Sequence, residues 1–512
     1  MSSNNTIAKN TLYLYFRMFF NLGVTLFTSR IVLKTLGVED FGIYNLVAGF
    51  VVMFSFINGS MSAASQRFLN VEIAHGEKKQ INKVFCTSMN VHILVTILIL
   101  VLGETLGLWF INNQLNIPSD RMYAANWVYQ MSLITAVVNI TRVPYNALII
   151  AYQRMSIYAY LGIFETIMKL VIVYILVLQE RFDHLIVYAV LFMIVNILIN
   201  IIYRVYCRKN FDEESTYYWH YDRKLTSEMA LFSGWNLFGQ LANIGASQGL
   251  YMILNVFVGV TVNAAVGIAT QVNAAVYSFI TNFQTAFNPQ ITQSYALKEF
   301  DNHKKLLFFA SKFSFFLLAI LATPILLHTG YVLHLWLGNM VPTFAKEFTQ
   351  IVILISLIDA LAGPFWMSVH ATGRIKIYQF IISLILLINL PLAYIMLRQG
   401  YSPTDVLIGK LILNGLAFAF RFWYAGRLVD IGFSKSFTYV RSIVPTFILL
   451  LFFIFYGNSN TLSKSLLDFV KTSLFAEIIL LFIVIVSGIE KNEKKQILHI
   501  IQNKLKKDVT KN

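Results

Sequence analysis

The chain has 512 residues, 57% of them hydrophobic and only 13% charged, with a formal net charge of +15. Soluble domains carry about a quarter charged residues, so a soluble enzyme or a soluble nucleic-acid-binding fold is excluded. The basic excess lies mostly in short loops between apolar runs, where membrane orientation accounts for it better than nucleic acid does. An apolar run of about 20 residues crosses the hydrocarbon core. Such runs predict an all-α membrane protein with about fourteen transmembrane helices. In chain order they centre near Val24, Val52, Leu98, Thr135, Ile167, Val195, Gly245, Ser278, Ala319, Leu357, Leu386, Leu416, Leu449 and Leu480. Very short connections, such as Gln153 to Ser156 and Gly373 to Lys376, make sequential helices antiparallel neighbours.

The loops alternate in charge. One set holds Arg67, Lys78, Lys79 and Lys83, then Arg154, then Arg204, Arg208, Lys209, Arg223 and Lys224. It continues through Lys298, Lys304, Lys305, Arg374, Lys376, Arg427 and Lys435 to the tail from Lys491 to Lys511. The other set holds roughly a third as many basic residues, and the positive-inside rule then puts the richer set and both termini in the cytosol. The tail reads as a short amphipathic helix on the cytosolic surface.

A weak internal repeat is visible. TLGVEDFGIYNLV (35–47) is similar to FVGVTVNAAVGIATQV (257–272), each at a turn between two spans. FINGSMSAASQRFLNVEIAHGEKKQ (56–80) is similar to FITNFQTAFNPQITQSYALKEFDNHKKL (279–306), each leading into a basic loop. The offset is about 222 to 226 residues, which spans six helices and keeps both copies in the same sense across the membrane. This predicts two six-helix bundles related by a pseudo-two-fold axis along the membrane normal, plus two extra C-terminal helices. The expected organisation is a first bundle over 1–206, a cytosolic linker over 207–227 and a second bundle over 228–430. Two extra helices over 431–488 and a basic cytosolic tail over 489–512 follow.

Three stretches carry a family resemblance: SRIVLKTLGVEDFGIYNLV (29–47), AASQRFLNVEIAHGE (63–77) and RVPYNALIIAYQRMSIYAYLGIFETIMKL (142–170). With the ordering of spans, they make the chain resemble polysaccharide-export flippases of the Wzx type. These move lipid-linked oligosaccharide units and share a superfamily with the MATE drug exporters. The resemblance implies a partly cationic cavity between two bundles, alternating access, and location in a bacterial inner membrane. It further implies a polyprenyl-diphosphate-linked oligosaccharide as substrate, for lipopolysaccharide, O-antigen or capsule synthesis. The implied partners are the bilayer, that substrate, and polysaccharide polymerase and chain-length machinery. No cofactor, metal or nucleic acid is expected.

Charges inside the apolar runs stand out, because each costs at least about 2.5 kcal/mol at the bilayer centre. Arg17, Arg142, Glu165 and Lys169 fall on three expected spans at comparable depth, about 10 to 19 Å from the cytosolic ends at the helical rise. Glu165 and Lys169 are spaced to pair along one helix face, as a structural pair or a gate. That leaves Arg17 and Arg142 without an evident carboxylate, and two free guanidinium groups suit a diphosphate. The plainer reading has them snorkel to the headgroups, with Pro144 merely kinking its helix. Arg30 and Lys34, with Glu39 and Asp40 to neutralise them, form an expected outer rim, where gating is open. Asp359 is a candidate for coupling to a proton or cation, or a hydrogen-bonded structural group. Lys410 is expected to snorkel outward. Trp235, Asn236, Gln240, Asn243 and Gln271 are candidate sugar contacts, and equally ordinary interhelical glue.

Two rival functions are weaker on the residues. A membrane polymerase or ligase needs a sizeable external loop with catalytic groups, and every external loop here is short. A cation-coupled small-molecule exporter of the MATE type favours intramembrane acids over arginines. It remains the alternative.

Overall fold

A computed structural model describes residues 2–52, 55–113, 117–338, 341–459 and 465–489. Among these, every regular element is a helix. The first part of the chain forms α1 (Ser2–Val52), α2 (Ser55–His75), α3 (Lys78–Leu102), α4 (Leu108–Asn113), α5 (Met122–Ala151), α6 (Met155–Leu178), α7 (His184–Asn210) and α8 (Asp212–Ser215). There follow α9 (Arg223–Val258), α10 (Val260–Ala296), α11 (Phe300–Leu327), α12 (Thr329–Leu337), α13 (Ala345–Thr372), α14 (Lys376–Leu387) and α15 (Asn389–Arg398). The last are α16 (Pro403–Leu428), α17 (Phe433–Ser459) and α18 (Leu466–Ile483).

Helices prevail because hydrocarbon offers no partner for a backbone N–H or C=O, and a helix satisfies both within one segment. Twelve helical stretches among the described residues, from Lys78–Asn113 to Leu466–Gly488, are long and apolar enough to cross a membrane. They correspond to the last twelve of the fourteen expected spans. The first two expected spans lie on α1 and α2. A turn of π-helix, Gly103–Gly107, joins α3 to α4, and another, Val484–Gly488, extends α18. The tail from Lys491 onward lies outside the described residues.

α1 is two helices joined at Gly37, whose φ of 79° and ψ of 170° only glycine adopts without strain. The internal repeat is written in such positions. Positive φ recurs at Gly37 and Gly259, Gly76 and Lys298, and Gln153 and Gly373, offsets of 222, 222 and 220 residues. A proline inside a helix recurs at Pro144 of α5 and Pro364 of α13, again 220 residues apart. The same bends thus return in both copies.

Helix starts follow capping chemistry. Asp183 accepts hydrogen bonds from the N–H groups of Leu185 and Ile186 at the head of α7. Ser402 and Asp405 form a reciprocal capping box at α16, with Pro403 in the first turn.

The chain divides into two compact units. One comprises Met1–Ala242, Thr285–Glu299 and His370–Ser383; the other Asn243–Gln284, Phe300–Val369 and Leu384–Asn512. The first unit packs around Ile99, Val128, Tyr129, Leu133, Ile140 and Leu176, and the Tyr129 hydroxyl donates to the Gly103 carbonyl at 2.7 Å. It also holds a polar seam. Arg67 Nε donates to the His370 carbonyl at 3.0 Å, and its guanidinium lies over Phe68 and Phe232. Ser60 donates to the Ser233 carbonyl, and Gln153 bonds Gln293 and Gln290. A Cβ at Gly373 would collide with the Arg67 guanidinium, so the close approach requires glycine there. The second unit packs around Leu250, Leu254, Ala269, Phe348 and Leu407. Its last helices join it through Ser311–Tyr439, Gln350–Asn458 and His328–Thr472 hydrogen bonds.

At the ends opposite the basic loops, Arg121 clamps two carboxylates. Its Nε donates to Asp40 at 2.8 Å and its Nη1 to Asp183 at 2.6 Å. Asp40 was expected to neutralise Arg30 and Lys34; its ion pair is instead with Arg121. Burial alone would raise the Asp183 carboxyl. The Arg121 guanidinium and the Ile186 and Leu185 N–H groups nonetheless hold it below its ordinary 3.8.

Gly37→Ala is expected to lower stability by about 1–3 kcal/mol through backbone strain alone, since no atom lies within 4 Å of the new Cβ. Gly23→Ala, in regular helix with equally open space, should be neutral or stabilising by up to about 1 kcal/mol. The temperature at which half of the detergent-solubilised protein remains monodisperse separates the two. Arg121→Ala should lower the same midpoint, by about 2–3 kcal/mol, because two carboxylates lose their donor. A depressed carboxyl stabilises above its pKa, so the clamp's contribution should be full at neutral pH and fade as pH falls below 3.8.

Candidate functional site: a cationic cluster and a polar cavity

The first unit contains a cluster built by α1, α5, α6 and α7. Arg142 Nη1 lies 3.3 Å from Glu165 Oε2, and Lys169 Nζ lies 2.9 Å from Glu165 Oε1. Glu165 thus holds a cation with each oxygen. The second contact was readable from the four-residue spacing. The first corrects the expectation that Arg142 lacks a carboxylate: it crosses from α5 to α6, which spacing along one helix cannot reveal. Arg142 also lies 5.5 Å from the centre of the buried Tyr203 ring, and Lys169 lies 5.6 Å from that of Phe192.

Arg17 reaches the same region from α1. Its guanidinium lies 4.3 Å from the centre of the Tyr158 ring, and its Nε is buried with no hydrogen-bond partner. Its stem passes over Gly162, where a Cβ would come within 2.7 Å of Arg17 Cδ. Arg17 is therefore led along α6 past a glycine and onto an aromatic face. Tyr158, Tyr203 and Gly162 are residues that sequence reasoning missed, since an aromatic or a glycine in an apolar helix gives no signal alone. Beside Pro144, Asn200 of α7 donates to the Val138 carbonyl at 2.9 Å and to the Thr141 hydroxyl at 3.1 Å. The proline bend is thus supported by a side chain from the neighbouring helix.

The charges do not cancel. Arg17, Arg142 and Lys169 are three cations, and Glu165 is the carboxylate that meets two of them. A surplus of two positive charges in a partly buried site, with one guanidinium nitrogen unpartnered, is suited to a dianionic group.

The second unit contains a separate cavity of about 180 Å³, lined by residues of α9, α10, α13, α14, α15 and α16. Asp359 and Lys410 both line it. Lys410 was expected to snorkel outward; it lines this cavity and lies 5.7 Å from the centre of the Tyr251 ring. Asn243, Asn273, Asn389, Asn414, Ser247, Ser356 and Thr270 complete the polar part of the wall.

The other candidates divide. Asn243 lines the cavity. Asn236 is 1% exposed and donates to the Ser60 carbonyl, accepts from Gln379, and so serves packing within the first unit. Gln240 lies against Gly59 in the same unit. Trp235 faces Lys376, whose Nζ is 5.5 Å from the ring centre. Gln271 is exposed. The side chains of Arg30, Lys34 and Glu39 lie outside the described residues. Among the described residues, no cluster of three His, Cys, Asp or Glu side chains is close enough to hold a metal ion.

Comparisons with known proteins agree with this architecture. No protein of curated function matches the chain in sequence. The crystal structure of a point mutant of a MATE protein superposes with a TM-score of 0.71 at 12% identity, over 83% of this chain and 96% of that one. A multidrug-resistance MATE transporter of the MOP superfamily, in its outward-facing conformation, gives 0.68 at 14% identity, over 83% and 96%. A MOP-superfamily transporter from Pyrococcus furiosus, described as having a binding pocket of reverse polarity, gives 0.62 at 15% identity over the same shares. The MatE family model matches residues 245–395. The chain is thus a multi-pass membrane protein that carries a MatE domain over residues 245–395 and has the fold of MATE transporters.

Proposed function

We propose that the chain is a flippase that carries a polyprenyl-diphosphate-linked oligosaccharide from the cytosolic to the outer leaflet by alternating access. The observation that carries this reading is the surplus of cations among Arg17, Arg142, Lys169 and Glu165. A diphosphate is dianionic or more and accepts bidentate contacts, which a guanidinium makes and an ammonium does not. A hydrophobic cation of the drug-exporter kind would meet repulsion at the same place. The described polarity of the binding pocket in the Pyrococcus furiosus relative supports the idea that this fold tolerates different cargo charges. The basic loops favour a cytosolic location for both termini. The resemblance of residues 29–47, 63–77 and 142–170 favours a bacterial inner membrane and service to surface-polysaccharide synthesis.

A second reading, a MATE-like cation-coupled exporter of small molecules, is favoured by the MatE domain and by Asp359 in the second unit. Lys410 on the same cavity wall weighs against a cation there.

The test is binding of a polyprenyl diphosphate by purified protein, together with transport in cells. Arg17→Ala and Arg142→Ala should each weaken binding by about tenfold to a hundredfold, the loss of one or two charge-assisted contacts. Arg142→Lys should recover part of it. Glu165→Gln releases Arg142 and Lys169 and should retain or tighten binding. In cells, Arg142→Ala should leave abundance intact while lipid-linked sugar accumulates on the cytosolic side. Unchanged diphosphate binding in both arginine variants would remove the cluster from substrate recognition. Tighter binding of a lipophilic cation in Arg142→Ala would favour the exporter instead.

A further inference from the structure

The cavity of the second unit has features the diphosphate reading does not use. Its volume of about 180 Å³ matches about six waters at about 30 Å³ each, room for one pyranose ring and too small for a disaccharide. Its wall carries one carboxylate, Asp359, and one ammonium, Lys410, and no ion pair within 4.0 Å joins them among the described residues. A cation entering would meet the lysine and an anion would meet the aspartate, so the wall selects for a neutral occupant. The remaining polar groups are amides and hydroxyls, which both donate and accept.

Two acceptors there lack a donor. Asn389 is 3% exposed, lines the cavity, and its Oδ1 has no hydrogen-bond partner. Asn273, from α10, lines the same cavity with its Oδ1 in the same condition. A buried amide oxygen left unpaired costs about 1–3 kcal/mol, so a donor is expected at each. The surrounding helix is also interrupted. α14 ends at Leu387 and α15 begins at Asn389. Pro391, which has no N–H to give the Leu387 carbonyl, explains the break. Interrupted membrane helices with free polar groups at their break mark binding sites in transporters.

We propose that this cavity is a sugar subsite, which takes a single neutral pyranose ring whose hydroxyls donate to Asn389 and Asn273. The proposal rests on the flippase reading in assigning that ring to the cargo, while the site itself is confined to the second unit. Asp359 and Lys410 stand on its wall as acceptor and donor for further hydroxyls, and Tyr251 supplies an aromatic surface.

The probes are methyl glycosides of common neutral hexoses and N-acetylhexosamines, with methyl hexuronides and sodium ion as controls. Saturation-transfer NMR on the purified full chain reads the glycosides, and radioactive sodium reads the ion. At least one neutral glycoside should bind saturably, and Asn389→Leu should weaken it about tenfold or more by removing the acceptor. Asn273→Ala, at a less buried position, should do the same and serves if Asn389→Leu does not fold. Both variants should bind polyprenyl diphosphate as the unaltered protein does, and Arg17→Ala should leave glycoside binding unchanged. Glycoside signals equal in the unaltered protein and both variants would overturn the subsite while leaving the flippase reading intact. Sodium binding that Asp359→Asn abolishes would also overturn it, and would mark the cavity as a cation site. Loss of diphosphate recognition by the arginine cluster, with glycoside binding kept, would overturn the flippase reading and leave the subsite standing.

Discussion

In hydrocarbon a charge must be met by the protein, since no water is there to meet it. Glu165 answers that demand for two cations at once, with one oxygen on Arg142 and the other on Lys169. The arrangement fixes α5 against α6 and settles which cation remains available. Arg17, whose contacts are the Tyr158 ring and the Gly162 surface, keeps a buried nitrogen without a partner. Aromatic faces can hold a guanidinium without neutralising it. The cluster is thus cohesive enough to persist in an apolar setting and still electropositive.

The same sharing appears at the other ends of these helices. Arg121 is held in common by Asp40, just beyond the Gly37 bend, and by Asp183, which also caps α7. One guanidinium therefore ties the second half of α1 to the starts of α5 and α7. The bend at Gly37 allows Asp40 to be there at all, because a straight helix would carry the chain onward along its axis.

Much of this was legible in the sequence, and what was not has a common physical cause. Span positions follow from hydropathy, since a helix of fixed rise must cover a fixed thickness. The repeat was visible at 35–47 and 257–272, and the structure places a positive-φ glycine at the same point of each, Gly37 and Gly259. The Lys169–Glu165 contact follows from helical period. By contrast, Arg142 meets Glu165 across 23 residues, and Arg121 meets Asp40 across 81 and Asp183 across 62. Contacts between helices depend on rotation about each axis, which composition and period do not determine. Lys410 shows the same point. A lysine near a helix end looks like a snorkelling residue until the packing of α16 turns it to a cavity wall.

The two units differ in how they handle polarity. The first concentrates charge: three cations and one acid on α1, α5 and α6. The second disperses it: one acid and one base kept apart, among four asparagines, two serines and a threonine. Charge excess recognises a charged group strongly and with little regard for shape. Amides recognise geometry, because each lost pairing leaves a buried donor or acceptor unsatisfied. A cargo with a common anionic linker and a variable polar head calls for both kinds of surface. The repeat explains how both arose on one scaffold. The bends marked by Pro144 and Pro364 were kept in both copies, while the side chains around them diverged, Arg142 beside the first and Asp359 beside the second.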